Sequence, residues 1–492
     1  MHKVRTSIDR RTLLGASAAA LLVATQGARA EDAKAPAPPP GGKKLSELIA
    51  DFTVGFDLKS APPLAVERAR LAFTDTMGVM LAGSREQVAQ IACDMVKAED
   101  SAPTCTVVGQ SFRASPQLAA LANGVAAHAM DYDFSYIMGQ PTVPIIPALL
   151  PLAEATGASQ ADVVAAFIVG FEVSSRLARA NTTQSAAGGW HAVSTIGTTG
   201  AAVACAKLLK LTPAQIVDAV GISASLAGGF SANFGTMTKP LHAGQAARNG
   251  MMAAFLAQRG FTANPAALEG TNGYFRAFAR GLEVTYEPFG DLGRTYDIVE
   301  RGFKPKLYPC GGLGHTAIDA TLELREALLP RLADIDRITA SITRYAAQRI
   351  GDKYPVSIEN AKFSMPYVAA YTLIHGAPKL AAFTESAIHD DTVRNAAKLV
   401  AVVIDPEYGT IFEESPSRII VTFRDGSKVE KLRYYASGTP QFPLSAAQVE
   451  EKFMDCAAQA VNKETAQKVF AAMQTLGGAP SFDALWPLVR RA

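Results

Sequence analysis

Four short stretches of this chain hold residue types suited to proton transfer beside a bound anion. In the run Gly235-Thr-Met-Thr-Lys239-Pro-Leu-His242, Pro240 suits the first turn of a helix, because its fixed φ fits there and its missing N–H is not needed. Good helix formers follow from Met251 to Ala257, and Gly260 is a stop signal. Lys239 and His242 then stand at a helix N-terminus, where free N–H groups and the positive dipole end attract anions. His242, Gln245, Ala246 and Asn249 share one face by their spacing, while Ala243, Ala247 and Gly250 make a face small enough for another helix to approach closely. A tightly packed buried helix with one satisfied histidine fits the same pattern.

The second stretch is Asn123-Gly-Val-Ala-Ala-His128-Ala-Met-Asp131-Tyr-Asp133, a small-residue helix running into a loop. One histidine and two aspartates make a metal site conceivable, without the spacing of a defined metal signature. Two solvated aspartates beyond a histidine at a helix C-terminus are the other reading. The third is Gly188-Gly189-Trp190-His191 at the mouth of an Ala/Gly helix. A helix entrance favours neutral imidazole, which suits a general base; a capped helix start with a packed tryptophan fits as well. The fourth, Lys304-Pro-Lys306-Leu-Tyr308-Pro-Cys310-Gly-Gly-Leu-Gly-His315, leads into a helix with Asp319 one turn on. A glycine-rich helix entry behind two lysines is again a place for an anion, which makes Tyr308 and His315 substrate-binding candidates. No phosphate-loop pattern is present, so a carboxylate fits as well as a phosphate.

The elements that must position these groups are mostly helices. From residue 45 to about 288 the apolar spacing is helical, with helices expected over 64–82, 117–130, 160–179 and 195–209. After about residue 290 the pattern changes. Residues 337–344 alternate as a half-buried strand, 392–399 reads as helix and 400–404 as strand. Residues 418–423 and 428–434 flank Asp425-Gly426, a strong hairpin signal. Helix returns from residue 445. The expected fold is therefore mainly α with an α+β second domain: an all-helical domain over 45–288, completed by 440–492, and a smaller α+β lid over 289–439.

The first thirty residues read as an address. Arg10-Arg11, an apolar run to Ala24 and Ala28-Arg29-Ala30 make a basic region, a short hydrophobic region and an A-x-A cleavage site, resembling a twin-arginine export signal. The apolar run falls short of the roughly 20 residues a bilayer requires. Export to the periplasm, with no stable membrane insertion after removal of the signal, is the expectation. Residues 31–44 form a Pro/Ala-rich linker with no core to join. A net charge of +2 gives no electrostatic case for nucleic acid. Charged residues at 19% are fewer than the usual quarter or so, which fits an oligomer with large buried interfaces. Five scattered cysteines with no C-x-x-C pair offer nothing for an iron–sulfur cluster or structural zinc, and are expected as free, buried thiols.

Taken together, the motifs around His128-Ala-Met-Asp131-Tyr-Asp133, Gly189-Trp190-His191, Met237-Thr-Lys239-Pro-Leu-His242, Lys306-Leu-Tyr308-Pro-Cys310 and Ala361-Lys-Phe-Ser-Met-Pro366-Tyr resemble the MmgE/PrpD family from about residue 45 to the C-terminus. That family includes 2-methylcitrate dehydratase, cis-aconitate decarboxylase and iminodisuccinate epimerase. The resemblance implies a homodimer with a cofactor-free, metal-free site between a helical domain and a lid, taking a small polycarboxylate. It places active-site residues on Asp131, His191, Lys239 and Lys306, with Ser135 replacing a threonine and a tyrosine near Tyr354. It also marks a departure, since Gln140-Pro141 stands where relatives carry His-Pro. Glutamine binds a carboxylate but carries no proton near neutral pH, so weak dehydration and decarboxylation are expected, and isomerase-like or altered lyase activity is favoured. Removing a proton α to a carboxylate makes an enolate-like dianion that needs cations more than the ground state does. Lys239 and Lys306 would supply that charge, His191 would be base or acid, and Asp131 would orient it or move the proton itself. The reaction expected is that of a lyase or an isomerase. The alternatives are a periplasmic carboxylate-binding protein without turnover and a metal-dependent hydrolase using His128, Asp131 and Asp133.

Overall fold

A computed structural model describes residues 36–135, 139–181, 188–279, 283–409 and 415–491. The export signal at 1–30 and the first part of the linker lie outside the described residues. Helices α1 (Leu45–Gly55), α2 (Pro63–Gly83), α3 (Gln87–Ala98), α4 (Pro116–His128), α5 (Thr142–Thr156), α6 (Gln160–Ala180), α7 (Ala192–Leu208), α8 (Pro213–Leu226) and α9 (Thr238–Gln258) come first. Each expected helix falls within a few residues of its observed counterpart, because Pro or Ser/Thr at the start and Gly or a polar turn at the end mark the boundaries. The linker is less free than its composition suggests, since Pro40 lies over Gly290.

Helices α4, α7 and α9 form the centre. α7 is buried around nearly its whole circumference, with only Lys207 reaching outward to the carbonyls of Thr53 and Phe56. Such a helix packs by small residues on every side, which is why it is so rich in Ala, Gly, Ser and Thr. α9 crosses α4 where Gly244 meets Gly124, and a Cβ on Gly124 would stand 2.7 Å from the Gly244 Cα. Gly124→Ala is therefore expected to force the two helices apart at a destabilisation of about 1–3 kcal/mol, seen as an earlier urea midpoint. An unchanged midpoint would show that this contact is not tight.

The second part is built on a four-stranded sheet in the order β4-β3-β5-β6, where β1 (Cys105–Thr106) and β2 (Arg113–Ala114) form a separate small ribbon. The sheet strands are β3 (Ile335–Ile342), β4 (Val400–Ile404), β5 (Ser417–Phe423) and β6 (Lys428–Arg433). β3 pairs parallel with β4 and antiparallel with β5, and β5–β6 is the hairpin across Asp425-Gly426. Helices α10 (His315–Leu328) and α11 (Met365–His375) cover its inner face. Ile338, Ala340, Ile342, Ile419 and Val421 point into that core with Tyr367 and Leu373. Helices α12 (Ala446–Ala457) and α13 (Lys463–Gln474) then return to the first core, where Phe453, Val469 and Met473 join Phe73 and Phe167. The architecture is a large helical domain with a smaller α+β domain.

A buried ionic cluster secures the passage between the two cores. Arg176 of α6, fully buried, holds Glu172 at 2.8 Å and Asp297 at 2.7 Å, and donates to the Thr295 carbonyl. Burial pushes the Glu172 carboxyl up to about 7 against the opposing pull of Arg176. Glu172 also accepts from the backbone N–H groups of Asp297 and Ile298. Residues 300–306, which follow directly, are thus launched from a fixed point.

All five cysteines are buried and free, as their apolar settings implied.

Candidate active site

Asp131 follows the end of α4 with φ at +53°, a left-handed conformation that short polar side chains tolerate best among non-glycine residues. The turn aims both its carboxylate and its carbonyl at the second part of the chain. Lys306 Nζ donates to the Asp131 carbonyl at 2.6 Å and stands 2.9 Å from Oδ1. Lys239 Nζ, from the first turn of α9, reaches the same Oδ1 at 2.6 Å. Lys239 also lies over the rings of Phe234 and Phe363, at 5.9 Å and 5.4 Å, so aromatic faces confine the ammonium. Behind this turn, Lys452 of α12 pairs with Asp75 at 2.5 Å and donates to the Tyr132 carbonyl. Burial alone would raise the Asp131 carboxyl, but the Lys239 and Lys306 charges outweigh it and hold it well below the usual carboxylate range. So acidic a group is a poor proton acceptor. Of the two roles expected for Asp131, orienting and proton transfer, its geometry as the anchor of two lysines favours the first.

Three histidines line up beside it. His128 and Asp133, both fully buried, meet at 2.9 Å between Nδ1 and Oδ1, so the aspartates after α4 are not solvated. The His128 ring stacks on His191 at 5.6 Å. His191 Nδ1 in turn lies 3.0 Å from His242 Nδ1. His191 is the N-cap residue of α7, and its own N–H donates to the Gly229 carbonyl. Burial first, then the charges of His128, Lys239 and His242, hold its imidazole well below the ordinary histidine range. His191 is accordingly neutral near pH 7, as a general base must be.

These groups open on a cavity of about 420 Å³ between the two parts of the chain. Lys239, Arg301, Lys304, Lys306 and Arg349 line it against two carboxylates, Asp131 and Glu300, so an entering anion meets excess positive charge. Lys304 is half-buried, its backbone paired with Ser135 and its ammonium 3.3 Å from the Gly312 carbonyl. Desolvation pushes it down to about 8.

The donors His128, Asp131 and Asp133 do converge, with candidate ligand atoms within 4.8 Å of one another. His128 Nδ1 is engaged by Asp133, while His128 Nε2 and Asp133 Oδ2 have no hydrogen-bond partner among the described residues. What opposes a dication is Asp131, whose oxygen already faces two ammonium groups that would repel a metal ion.

The family to which these motifs point matches most of the chain. Residues 47–287 match the MmgE/PrpD N-terminal domain, and residues 308–476 match the MmgE/PrpD C-terminal domain. The chain belongs to the MmgE/PrpD family. Its relatives include the cis-aconitate decarboxylase of Homo sapiens, 30% identical over 88% of this chain and 92% of the relative. The cis-aconitate decarboxylase-like protein oryM of Aspergillus oryzae is 27% identical over 87% and 94%. A cis-aconitate decarboxylase of Aspergillus terreus is 26% identical over 83% and 88%.

Within this MmgE/PrpD chain, Asp131, His191, Lys239, Lys306, Ser135 and Gln140 all reach the cavity. The other four candidates for substrate contact do not. His242 lies behind His191. Tyr308 turns its hydroxyl to Asp319 at 2.6 Å and borders a different cavity. His315 is fully buried with Nε2 3.3 Å from the Cys310 carbonyl. Tyr354, half-buried against the second core, spends its hydroxyl on the Ile388 carbonyl. The glycine-rich run itself contributes instead, through Gly311, Gly312 and Leu313. Sequence reasoning missed Arg301, Tyr345 and Arg349. Arg349 stacks on the Tyr345 ring at 3.8 Å just after β3, and nothing in the local pattern sets that pair apart from other surface residues.

Proposed function

We propose that this chain is a cofactor-independent lyase for a small di- or tricarboxylate, moving a proton next to a carboxylate with His191 as the proton carrier. The observation that carries this reading is a neutral, buried imidazole at the wall of a cation-rich cavity. Lys239, Lys304 and Lys306 bind the substrate carboxylates. Lys239 and Lys306 hold part of their charge in reserve on Asp131 and strengthen their contact as charge grows on the substrate. His191 takes a proton from the carbon α to a carboxylate, and the electron pair spreads onto that carboxylate. The imidazolium so formed sits among ammonium groups and gives its proton up readily. If instead a carboxylate leaves as CO2 with no prior proton removal, its electron pair stays on carbon and spreads onto a neighbouring carboxylate. His191, protonated from solvent, then quenches it, so the balance is one solvent proton taken up per CO2 released. The relatives named as cis-aconitate decarboxylases make cis-aconitate the first compound to assay. Export by a twin-arginine route, resting on Arg10-Arg11 and the apolar run behind them, and assembly as a homodimer remain part of the proposal. No helix among the described residues is long and apolar enough to cross a membrane.

Gln140 sits at the cavity wall where the family resemblance places a histidine. Turnover of cis-aconitate and 2-methylcitrate by the wild type is therefore expected to be slow, with readier solvent deuterium exchange into a bound dicarboxylate. Gln140→His is expected to raise at least one of these rates by about 10-fold or more, within the range a positioned proton donor supplies. Efficient wild-type turnover untouched by changes at Gln140 would refute this role for the position. Tight polycarboxylate binding with neither turnover nor exchange would replace the lyase reading with that of a binding protein.

A further inference from the structure

Only one ring nitrogen of His191 is left for the cavity, because Nδ1 is held 3.0 Å from His242 Nδ1. Between two neutral imidazoles such a contact holds one proton. The rings must then be complementary tautomers: if His191 carries Nδ1–H, its Nε2 is a bare lone pair, and if His242 donates, His191 Nε2 carries the hydrogen instead. The backbone locks the pair in place. Gly229 accepts from the His191 N–H, and its Cα lies so close under the His242 ring that a Cβ there would stand 3.1 Å from it. At φ +110°, Gly229 adopts a backbone that side-chain-bearing residues rarely reach. His242 is thus buried, outside the cavity lining, and fixed against the atom that decides what His191 can do.

We propose that His242 is a positioning residue that accepts the Nδ1–H of His191 and so presents His191 Nε2 to the cavity as a proton acceptor. The charges around the cavity favour this direction. Lys239 places an ammonium group near the ring, and a lone pair facing it is stabilised where an N–H would be repelled, a pull that the Asp131 carboxylate offsets only in part. The inference rests on the lyase reading for its kinetic consequence, but not for the tautomer.

The test uses full-length protein labelled with 15N in its seven histidines, with the His191 resonances assigned from a His191→Gln variant. Long-range 1H–15N correlation of the wild type is expected to show a protonated Nδ1 and an unprotonated Nε2 on His191. A protonated Nε2, or shifts averaged between tautomers, overturns the proposal without any variant being needed. In kinetics, His242→Phe is expected to lower kcat by about 10- to 100-fold, as a misoriented catalytic group does, with KM within about 2-fold. His242→Asn, whose side-chain amide can occupy the place of Nδ1, is expected to recover most of that loss. Equal losses in both variants, or a change confined to KM, would show that His242 only fills space or contacts substrate. If the wild type neither converts nor exchanges any polycarboxylate, the lyase reading fails, while the NMR spectrum still decides the tautomer.

Discussion

His191→Gln is expected to lower kcat/KM by about 100- to 10,000-fold, the range general acid–base catalysis supplies. Glutamine can keep a hydrogen bond to His242 but has no titratable nitrogen, so the loss reads proton transfer rather than packing. The urea midpoint should change little, because one buried hydrogen bond contributes about 1 kcal/mol. The wild-type pH profile makes the same point. His191 faces His128, His242, Lys239 and Asp131, and burial with the neighbouring cations pulls it well below the ordinary histidine range. The base is active when unprotonated, so kcat/KM should stay flat as pH falls from 7 through 6.5 and decline only below, while loss of the Lys304 charge, lowered to about 8, shapes the alkaline side. His242, lowered to about 4 by burial and then by His128 and Lys239, also stays neutral across this window. An acid limb centred at or above pH 6.5, or a glutamine variant retaining wild-type activity, would remove His191 from the chemistry.

Lys239→Ala is expected to cost about 2–4 kcal/mol of transition-state stabilisation, or roughly 30- to 1,000-fold in rate. The side chain sits where growing charge on a substrate would draw it from Asp131. Truncation leaves the Asp131 carboxylate with Lys306 as its cation, so the aspartate keeps a partner at 2.9 Å and the fold should survive. Lys239→Gln separates charge from hydrogen bonding, because it can still donate to Asp131 without carrying a positive charge. A similar rate loss in both variants with near-normal urea midpoints supports the electrostatic role. If Lys239→Ala instead unfolds the protein while the folded fraction keeps normal specific activity, the lysine is structural and the assignment fails.

Much of the scaffold was legible before any coordinates. The helices expected over 64–82, 117–130 and 160–179 start beside Pro63, Pro116 and Ser159 and carry apolar spacing within, because such signals act over one or two turns. The hairpin at Asp425-Gly426 and the β4 strand were equally local. The strand expected over 337–344 begins two residues earlier, since Ile335 pairs with Phe423 across a register shift that no local pattern marks.

For the site, the sequence by itself determined which chemistry-capable residue types stand at which helix ends: a lysine and a histidine in the first turn of α9, a histidine at the entrance of α7, an aspartate past α4 and two lysines before a glycine-rich entry. Their types, their places at helix ends and the anion-binding character of those ends are consequences of the local chain. Only the tertiary structure decided what each one touches. Lys306 and Lys239 lie 175 and 108 positions from Asp131, yet meet on one of its oxygens, which converts a possible base into a fixed anion. His242 shares a helix turn with Lys239 but points behind His191 instead of into the cavity. Tyr308 and His315 flank the glycine-rich run, yet turn to Asp319 and Cys310. The physical reason is that a residue's spacing specifies the face of its own helix or loop, whereas its partner is specified by the crossing of separate elements. Here those crossings are set by the close contact of α4 with α9 at Gly124 and Gly244, and by the buried Arg176 cluster that launches residues 300–306 toward the cavity.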